Sequence, residues 1–336
     1  MPQQKSKITA SVDYVIDGKQ HGYLSIPYSH DKSAWGSIQM PITVIKNGEG
    51  PTVLLTGANH GDEYEGPIAL VKLRARLEPS AIRGRVIIIP ALNYPAFRAG
   101  RRTSPIDGGN MNRVFPGNSD GTITEMIAHY VISKVLPLCD AVVDIHAGGR
   151  TMYLSPCTVI HELADKELMA RTLAVSKAFG APISLILVEL DASGMLDAAV
   201  EETGKVFVST ELGGGGSASV ETISIAETGV RNILCHFNMI DEVPVTRPGG
   251  TRVMHALGEA YVPAMASGLY EIVAEIGAEV AAGDVVGRIH FVDDAERVPL
   301  LHTAPKAGTV IQRHLPGLIE KGDCLALIAE DYNHDL

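Results

Sequence analysis

The 336-residue chain lacks several features that define specialised classes of protein. No apolar run approaches the roughly 20 residues needed to cross a bilayer, and the first residues contain no apolar signal-peptide core. The four cysteines, Cys139, Cys157, Cys235 and Cys324, are far apart and show no C-x-x-C spacing, which disfavours a disulfide framework or a zinc finger. We therefore expect a cytoplasmic protein with buried free thiols.

Positive charge is also scarce. The chain has 28 Lys and Arg against 39 Asp and Glu, a formal net charge of −11. Because a surface of that sign repels phosphate groups, we expect neither nucleic acid nor a membrane as the main partner. A small-molecule substrate stays compatible, since a local cluster of Arg can overrule the field of the whole molecule. The apolar content of 46% is typical of a globular protein.

Apolar strand patterns alternate with helical patterns over most of the chain, which predicts an α/β fold with a mostly parallel or mixed sheet flanked by helices. The expected strands are 52–57, 85–92, 141–145, 183–188 and 206–210. The expected helices are 65–77, 122–136, 164–179, 195–202 and 219–237, the second of them opened by a capping box. Residues 8–47 alternate apolar and polar, which predicts two or three antiparallel strands at a sheet edge.

The pattern changes after a Pro- and Gly-containing linker at 241–250. From residue 251 the strands are short, turns fall at glycines, and no convincing helix occurs. We expect two domains, residues 1–245 with the α/β pattern and residues 251–336 with only β structure. The second resembles a barrel-sandwich of the lipoyl/biotinyl type, but it lacks the hairpin that would present a modified Lys, so we do not expect lipoylation.

Side chains able to bind metal follow three of the predicted strands. His60 and Glu63 come after strand 52–57, His146 after strand 141–145, and Glu211 after strand 206–210. Because ligands bind at the carboxyl edge of an open α/β sheet, we expect these side chains to converge. Two imidazoles and one carboxylate with an open fourth position form the ligand set of a catalytic zinc ion.

Each of these residues also has an ordinary structural interpretation. Glu63 alone could be a helix N-terminal charge favoured by the dipole, and His146 alone would more often be a buried, satisfied histidine. An H-x-x-E pair by itself arises often by chance. Its place at a strand end, together with a second strand that ends in Asp-Ile-His-Ala-Gly, favours the metal site.

A loop of 29 residues, Asn93 to Gly121, joins the second strand to the next helix. Loops of this length inside a compact domain are usually functional or disordered. This one carries the cations Arg98, Arg101, Arg102 and Arg113 around the sequence Asp-Gly-Gly-Asn-Met-Asn-Arg-Val-Phe-Pro-Gly. Taken alone, Arg98 and Arg101 are interpreted as ordinary surface charges.

Four motifs in order resemble the succinylglutamate desuccinylase/aspartoacylase family, relatives of the zinc metallocarboxypeptidases. They are Gly57-Ala-Asn-His-Gly-Asp-Glu-Tyr-Glu-Gly66, Asn110-Met-Asn-Arg-Val-Phe-Pro-Gly117, Asp144-Ile-His-Ala-Gly148 and Thr210-Glu-Leu-Gly213, and they span most of residues 50–240. The resemblance implies a zinc-carboxypeptidase-like fold. Within the family, the chain looks most like the bacterial subgroup that deacetylates N-acetyl-diaminobutyrate during ectoine breakdown.

The resemblance also implies roles for individual residues. It implies one zinc ion per subunit, held by His60, Glu63 and His146, and Glu211 as general base and acid. Arg102 fits the family's carbonyl-polarising Arg, but a longer insert separates it from the next motif, so the choice between Arg101 and Arg102 stays open.

Substrate binding is implied for a second pair of residues. Asn112 and Arg113 match the Asn-Arg pair that binds the substrate carboxylate, for which an Arg fork is suited. Asp144 or Asp62 would orient the metal ligands.

The activity implied is zinc-dependent hydrolysis of the amide bond of a small N-acyl amino acid, with N-acetyl-2,4-diaminobutyrate as the expected substrate. Three alternatives stay open: a desuccinylase or aspartoacylase with another substrate, a carboxypeptidase-type enzyme that acts on peptide C-termini, and a non-catalytic binding protein. A homo-oligomer is compatible with the sequence.

Overall fold

Strands and helices alternate from residue 52 to residue 236, and a computed structural model of the protein shows how they assemble. The structure describes residues 5–188 and 192–332. Residues 1–4 of the first predicted domain, residues 333–336 of the second, and residues 189–191 lie outside the described part. No helix within these limits is long and apolar enough to cross a membrane.

The described strands and helices are labelled in chain order. The N-terminal half contains β1 (Thr9–Ala10), β2 (Gly18–Pro27), β3 (Ser37–Asn47), β4 (Thr52–Gly57), α1 (Glu65–Arg76), β5 (Gly84–Ile89), α2 (Tyr94–Ala99), α3 (Ile123–Tyr130), β6 (Ala141–His146) and β7 (Met152–His161). The middle contains α4 (Lys166–Phe179), β8 (Ile183–Leu187), α5 (Leu196–Glu201), β9 (Val206–Gly214) and α6 (Val220–His236). The C-terminal part contains β10 (Arg252–Ala256), β11 (Tyr261–Pro263), β12 (Gly268–Ile272), β13 (Glu279–Val280), β14 (Val285–His290), β15 (Leu300–Thr303), β16 (Gly308–His314), β17 (Leu318–Ile319) and β18 (Cys324–Asp331).

One large mixed sheet organises the described residues, in the order β1-β2-β3-β5-β4-β6-β9-β7-β8-β10-β18-β16-β13. It contains two parallel runs, β5-β4-β6-β9 at its centre and β7-β8-β10 beside it. The N-terminal hairpin β2–β3 joins β5 antiparallel, which confirms the expected N-terminal strands. The parallel centre is buried on both faces, as its unbroken apolar strands require.

One strand and one helix were not expected from the sequence. Strand β7 was missed, because Ser155 and Pro156 interrupt its apolar pattern; it pairs antiparallel with β9. Helix α2 lies at the start of the segment expected to be a loop. Asn93 caps it by accepting a hydrogen bond from the N–H of Ala96, and proline occupies its first turn.

The helix expected at 122–136 begins as predicted and ends differently. Thr122 and Glu125 form the capping box. The α-helix ends at Tyr130 and continues as one π turn (131–135) and one 3-10 turn (136–138). Pro137 explains the tightening, since it cannot donate to an α-helical hydrogen bond.

The large sheet continues across the predicted domain boundary. Strand β10 pairs parallel with β8, and β16 pairs antiparallel with β7. Residues 241–250 form no regular element, in keeping with a linker. A second sheet of four strands, β15-β14-β12-β17, lies within the C-terminal part. The division into two domains therefore stays a prediction, because backbone pairing joins the two parts.

Helices α1, α4 and α6 cover one face of the sheet, and α3 with the N-terminal strands helps to bury the other. On the first face, α4 ends at the fully buried ring of Phe179, and α6 passes over that ring at Gly229. A Cβ at residue 229 would overlap the ring. Glycine at this point of α6 therefore permits the close packing of α4 and α6.

We expect Gly229→Ala to destabilise the protein by about 1–3 kcal/mol, because overpacking outweighs the roughly 1 kcal/mol that alanine contributes in a helix interior. Urea unfolding of both proteins measures the difference. The matched control makes the same change in a Phe179→Leu background, where the destabilisation should be smaller. An unchanged or higher midpoint for Gly229→Ala alone would contradict this account of the contact.

Candidate metal centre and active site

The parallel strands β4, β6 and β9 bring the predicted metal and base residues to one edge of the sheet. His60 and Glu63 lie in the turn between β4 and α1, and His146 is the last residue of β6. Glu211 lies on β9 directly opposite His146 in the parallel register. Adjacent strands therefore present these side chains to the same space, as the sequence predicted.

The turn after β4 is shaped by backbone that packs closely. Ala58 adopts a positive φ of 47°, which turns the chain sharply out of the strand. Gly61 lies directly against the backbone of Ala96 and Phe97 in α2, where a Cβ would overlap both residues. This contact holds the turn, and His60 beside it, against a rigid helix.

Glu63 bridges the two histidines. Its Oε1 lies 2.8 Å from Nδ1 of His60, and its Oε2 lies 3.0 Å from Nδ1 of His146. The N–H of Ala147 also donates to Oε2 at 3.1 Å. One ligand atom from each of the three residues lies within 4.8 Å of the others, and all three are buried. Two imidazole Nδ1 atoms and one carboxylate therefore face a common point.

The other nitrogen of each ring has its own partner. Nε2 of His146 lies 2.8 Å from Oδ2 of Asp144, and Nε2 of His60 lies 3.2 Å from Oδ1 of Asn110. Asp144 is itself held by Thr56 Oγ1 at 2.7 Å. An acceptor behind each ring fixes its tautomer and turns Nδ1 toward Glu63, which is the usual support of metal-bound histidine.

Asp62, the other residue expected to support the metal ligands, bonds to the backbone of a neighbouring turn. Its Oδ2 accepts a hydrogen bond from the N–H of Arg150 at 3.1 Å. It thereby connects the turn after β4 to the turn after β6. Of the two candidates, only Asp144 contacts an imidazole.

Burial and charge act against each other in this cluster. Burial lowers the pKa of His60 despite the attraction of the Glu63 carboxylate. For His146, burial is outweighed by the carboxylates of Asp144 and Glu63, which raise its pKa well above the ordinary value. Burial likewise opposes ionisation of Glu63 and Asp144, but the nearby imidazoles hold the pKa of both carboxyls below their usual range.

A divalent cation fits this donor set. Two buried carboxylates next to two imidazoles form a region whose negative charge needs a compensating cation. Imidazole and carboxylate ligands are those that zinc takes in catalytic sites, with a further position left open for water or substrate. The orientation of both Nδ1 atoms toward one point, with Nε2 anchored behind, is the arrangement such an ion requires.

A cavity of about 280 Å³ opens beside these residues. Its lining includes all but one of the predicted site residues: His60, Arg102, Asn112, Arg113, His146 and Glu211. The remaining one, Glu63, contacts both imidazole rings. The apolar part of the wall includes Met152, Leu154, Leu185, Met195, Phe207 and Leu327. Ligand sites usually combine an apolar wall with a few convergent polar groups in this way.

The sequence left open whether Arg101 or Arg102 reaches the site, and the structure places the two side chains differently. Arg102 lines the cavity, and its Nη1 lies 3.8 Å from Oε1 of Glu63. Arg101 is exposed and does not belong to the described lining of the cavity. The geometry therefore favours Arg102 as the cation that reaches the centre.

Asn112 is held in place from two sides. Its Oδ1 accepts from Nδ2 of Asn59 at 3.2 Å and from the N–H of Leu196 at 3.0 Å. Because both bonds use the oxygen, the NH₂ group is the donor that Asn112 offers to a ligand. Arg113 follows it at the cavity wall, with Nη1 donating to the carbonyl of Asn112 at 2.6 Å.

Strand β9 continues past Glu211, whereas the sequence predicted that the strand ends before it. The missed strand β7 explains the difference, since Tyr153 and Leu154 pair with Gly214 and Gly213. At Gly214 a Cβ would overlap the carbonyl of Met152. The glycine run thus lets two strands approach closely, and it makes Glu211 an interior strand residue with defined orientation.

Three residues of the site were not identified from the sequence. Asn59 and Asn110 lie inside the quoted motifs, but nothing in their spacing shows that Asn59 donates to Asp144 at 2.8 Å or that Asn110 supports His60. Asp197 lines the cavity from helix α5, and no motif surrounds it. Only the packing of separate segments reveals these positions.

Comparisons with known proteins show which family the chain resembles. Residues 49–237 match the family model of the succinylglutamate desuccinylase/aspartoacylase catalytic domain. The N-alpha-acetyl-L-2,4-diaminobutyric acid deacetylase of Halomonas elongata is 46% identical over 331 residues, covering 98% of this chain and 96% of that protein.

Solved structures resemble the whole described fold. The product-bound ectoine utilization protein EutE (DoeB) from Ruegeria pomeroyi has a TM-score of 0.95 and 49% identity, covering 97% of this chain and 99% of that one. A succinylglutamate desuccinylase from Silicibacter sp. has a TM-score of 0.93 and 46% identity, covering 98% and 100%. Both similarities extend through the C-terminal β-rich part.

We expect Asp144→Asn to weaken zinc binding by about 10- to 100-fold, because Nε2–H of His146 loses its anionic acceptor. Competition with a chromogenic chelator measures the affinity. Asp62→Asn is the matched control: it makes the same change at a carboxylate that bonds the backbone of Arg150, and it should alter the affinity less than about threefold. Equal losses in both variants would refute a specific role for Asp144.

Proposed function

Since the chain belongs to the succinylglutamate desuccinylase/aspartoacylase family, we propose that it hydrolyses the amide bond of a small N-acyl amino acid, with N-acetyl-2,4-diaminobutyrate as substrate. The observation that carries this proposal is the convergence of His60, Glu63 and His146 beside Glu211 on one cavity. Ligands and base are the minimum set for metal-assisted hydrolysis of an amide.

The proposed substrate is inferred from the names of two similar proteins. The Halomonas elongata protein is named as a deacetylase of N-alpha-acetyl-L-2,4-diaminobutyric acid, and the Ruegeria pomeroyi structure as an ectoine utilization protein. Identities of 46% and 49% over nearly the full chain support the same reaction here. We therefore assign the protein to ectoine degradation as a deacetylase.

In this proposal His60, Glu63 and His146 hold one zinc ion. When bound, zinc lowers the pKa of water and polarises a carbonyl oxygen. The protein itself holds the two imidazole rings in place through Asp144 and Asn110. It also supplies a water-poor wall on which the acyl group can lie.

Binding of the substrate carboxylate falls to Arg113 and Asn112. A guanidinium and an amide NH₂ group together match the two oxygens of a carboxylate. Arg102, closer to the metal ligands, is placed to donate to the acyl oxygen as negative charge develops on it. The two arginines thus act on opposite ends of the same small molecule.

Glu211 moves the proton. Its carboxylate accepts a proton from water as the water oxygen bonds to the acyl carbon, and it returns that proton to the amine nitrogen as the C–N bond breaks. The products are acetate and the free amino acid. The backbone register that sets Glu211 opposite His146 supports this role, because the base must lie next to the attacked carbonyl.

The cavity favours a small substrate over a peptide. Its volume of about 280 Å³ is near the lower end of ligand pockets. Tyr261, Gln312 and Cys324 line it from residues 251–336, the segment that we propose as a second domain of barrel-sandwich type. These side chains limit the space in which a longer chain could continue.

A screen of the zinc-loaded protein tests the function. We expect hydrolysis of N-acetyl-2,4-diaminobutyrate, followed by release of the free amine, to exceed that of N-succinyl and N-formyl amino acids and of peptides. Absence of turnover of every acyl amino acid by metal-replete protein would overturn the proposal. Faster cleavage of peptides from the C-terminus would replace it with a carboxypeptidase.

We expect Glu211→Gln to bind zinc as tightly as the unaltered protein and to lose about 10²- to 10⁴-fold in kcat, because an amide cannot accept the proton. Metal content and steady-state kinetics are measured on the same preparation. Retained kcat would remove Glu211 from the role of base. Loss of zinc together with activity would assign it to the metal site instead.

Arg102→Gln should lower kcat by about 10²- to 10³-fold, since it removes the cation that stabilises charge on the acyl oxygen. The matched control is Arg101→Gln, the same change at the exposed neighbour, for which we expect less than a twofold effect. The kcat of each variant, measured at saturating substrate, shows whether only the change at Arg102 has an effect. Similar losses in both variants would reject the assignment of Arg102.

A further inference from the structure

Helix α5 contributes a carboxylate to the cavity that the hydrolysis described above does not use. Asp197 lies in the first turn of α5, lines the cavity and is 7% exposed. It comes from helix α5, whereas Glu211 lies on strand β9. A buried carboxylate at a cavity wall needs a cationic partner or a hydrogen-bond donor.

The start of α5 is fixed to the segment that carries Asn112. The N–H of Leu196 donates to Oδ1 of Asn112 at 3.0 Å, and the N–H of Phe115 donates to the carbonyl of Gly194 at 2.9 Å. Asp197 is therefore held at a constant position relative to Asn112 and Arg113. Arg113 and Asp197 line the same cavity.

The carboxylate of Asp197 lies near an imidazole that a second carboxylate also contacts. Its Oδ2 is 3.7 Å from Nε2 of His161, and Nδ1 of the same ring is 2.8 Å from Oε2 of Glu201. Two carboxylates thus share one imidazole. Burial raises the pKa of Asp197, although the imidazole of His161 and the N–H of Ala198 counteract it. A cation arriving in the cavity would relieve this cost.

We propose that Asp197 binds an ammonium group on the side chain of the acyl amino acid and so determines substrate specificity. The inference rests on the proposed function, because it concerns the same cavity. It completes a bipolar site: Arg113 and Asn112 bind the carboxylate, and Asp197 binds the amine at the far end of a short side chain. An acidic side chain in the same place would meet like charge and be rejected.

Because α5 is tied to the segment of Asn112, the two charged ends of the ligand are recognised by adjacent backbone segments. The ligand class is a diamino acid with a free side-chain amine.

The test compares two substrates that differ only at the end of the side chain: Nα-acetyl-2,4-diaminobutyrate and the uncharged isostere Nα-acetyl-norvaline. The protein with Asp197 should prefer the diamino substrate in kcat/KM. Asp197→Asn should lower that preference by about 10- to 100-fold, mainly through a higher KM, because the charge pair is lost while the shape is kept. A purely structural role would change both substrates by the same factor.

Glu202→Gln is the matched control, since it neutralises an exposed carboxylate on the last turn of the same helix region and should leave the preference unchanged. Thermal unfolding shows whether each variant is folded. If Asp197→Asn does not fold, Asp197→Ser, which offers a smaller polar side chain, replaces it in the same comparison. If neither variant folds, the test is the ratio of kcat/KM for the two substrates in the unaltered protein. A ratio near one would overturn the inference.

The outcomes separate this inference from the function on which it rests. Turnover of neither substrate by zinc-loaded, unaltered protein would mean that the proposed hydrolysis is wrong. Equal turnover of both substrates, or an unchanged preference in Asp197→Asn, would overturn the role of Asp197 and leave the hydrolysis standing. A loss of preference in Asp197→Asn that Glu202→Gln does not share supports the inference.

Discussion

The bridging of two imidazoles by the Glu63 carboxylate is the interaction on which the candidate site depends. It joins the turn after β4 to the end of β6, and it is possible only because those strands are parallel neighbours. Asp144 behind one ring and Asn110 behind the other set the direction of the imidazoles. Burying a carboxylate without a partner would cost free energy. The Glu63 carboxylate is therefore stabilised by the imidazoles of the cluster or by a bound cation.

The continuation of the large sheet into the C-terminal strands has a consequence for the cavity. Strand β16 pairs with β7, and β7 pairs with β9, so the segment bearing Gln312 is tied through backbone bonds to the segment bearing Glu211. The C-terminal part is therefore a wall of the site. This arrangement explains why the cavity is small although the catalytic edge of an α/β sheet is usually open.

Much of the site could be predicted because strand-end motifs are local. The residues around His60, His146 and Glu211 each follow an apolar strand, and parallel strands end at one edge. Strand β7 could not be recognised in the same way, since Ser155 and Pro156 hide its periodicity and its partner β9 is distant in sequence. Helix α2 was hidden because a six-residue helix with proline in its first turn gives little periodic signal.

The sequence by itself determined the succession of strands and helices, the types of ligand and the order of the motifs, because these depend on periodicity and on side-chain chemistry. The tertiary structure alone decided that Arg102 and not Arg101 reaches the cavity, that Asp144 and not Asp62 holds His146, and that Asp197 lines the cavity. These choices depend on which segments pack together, and neighbouring residues of the same type carry no local signal that separates them.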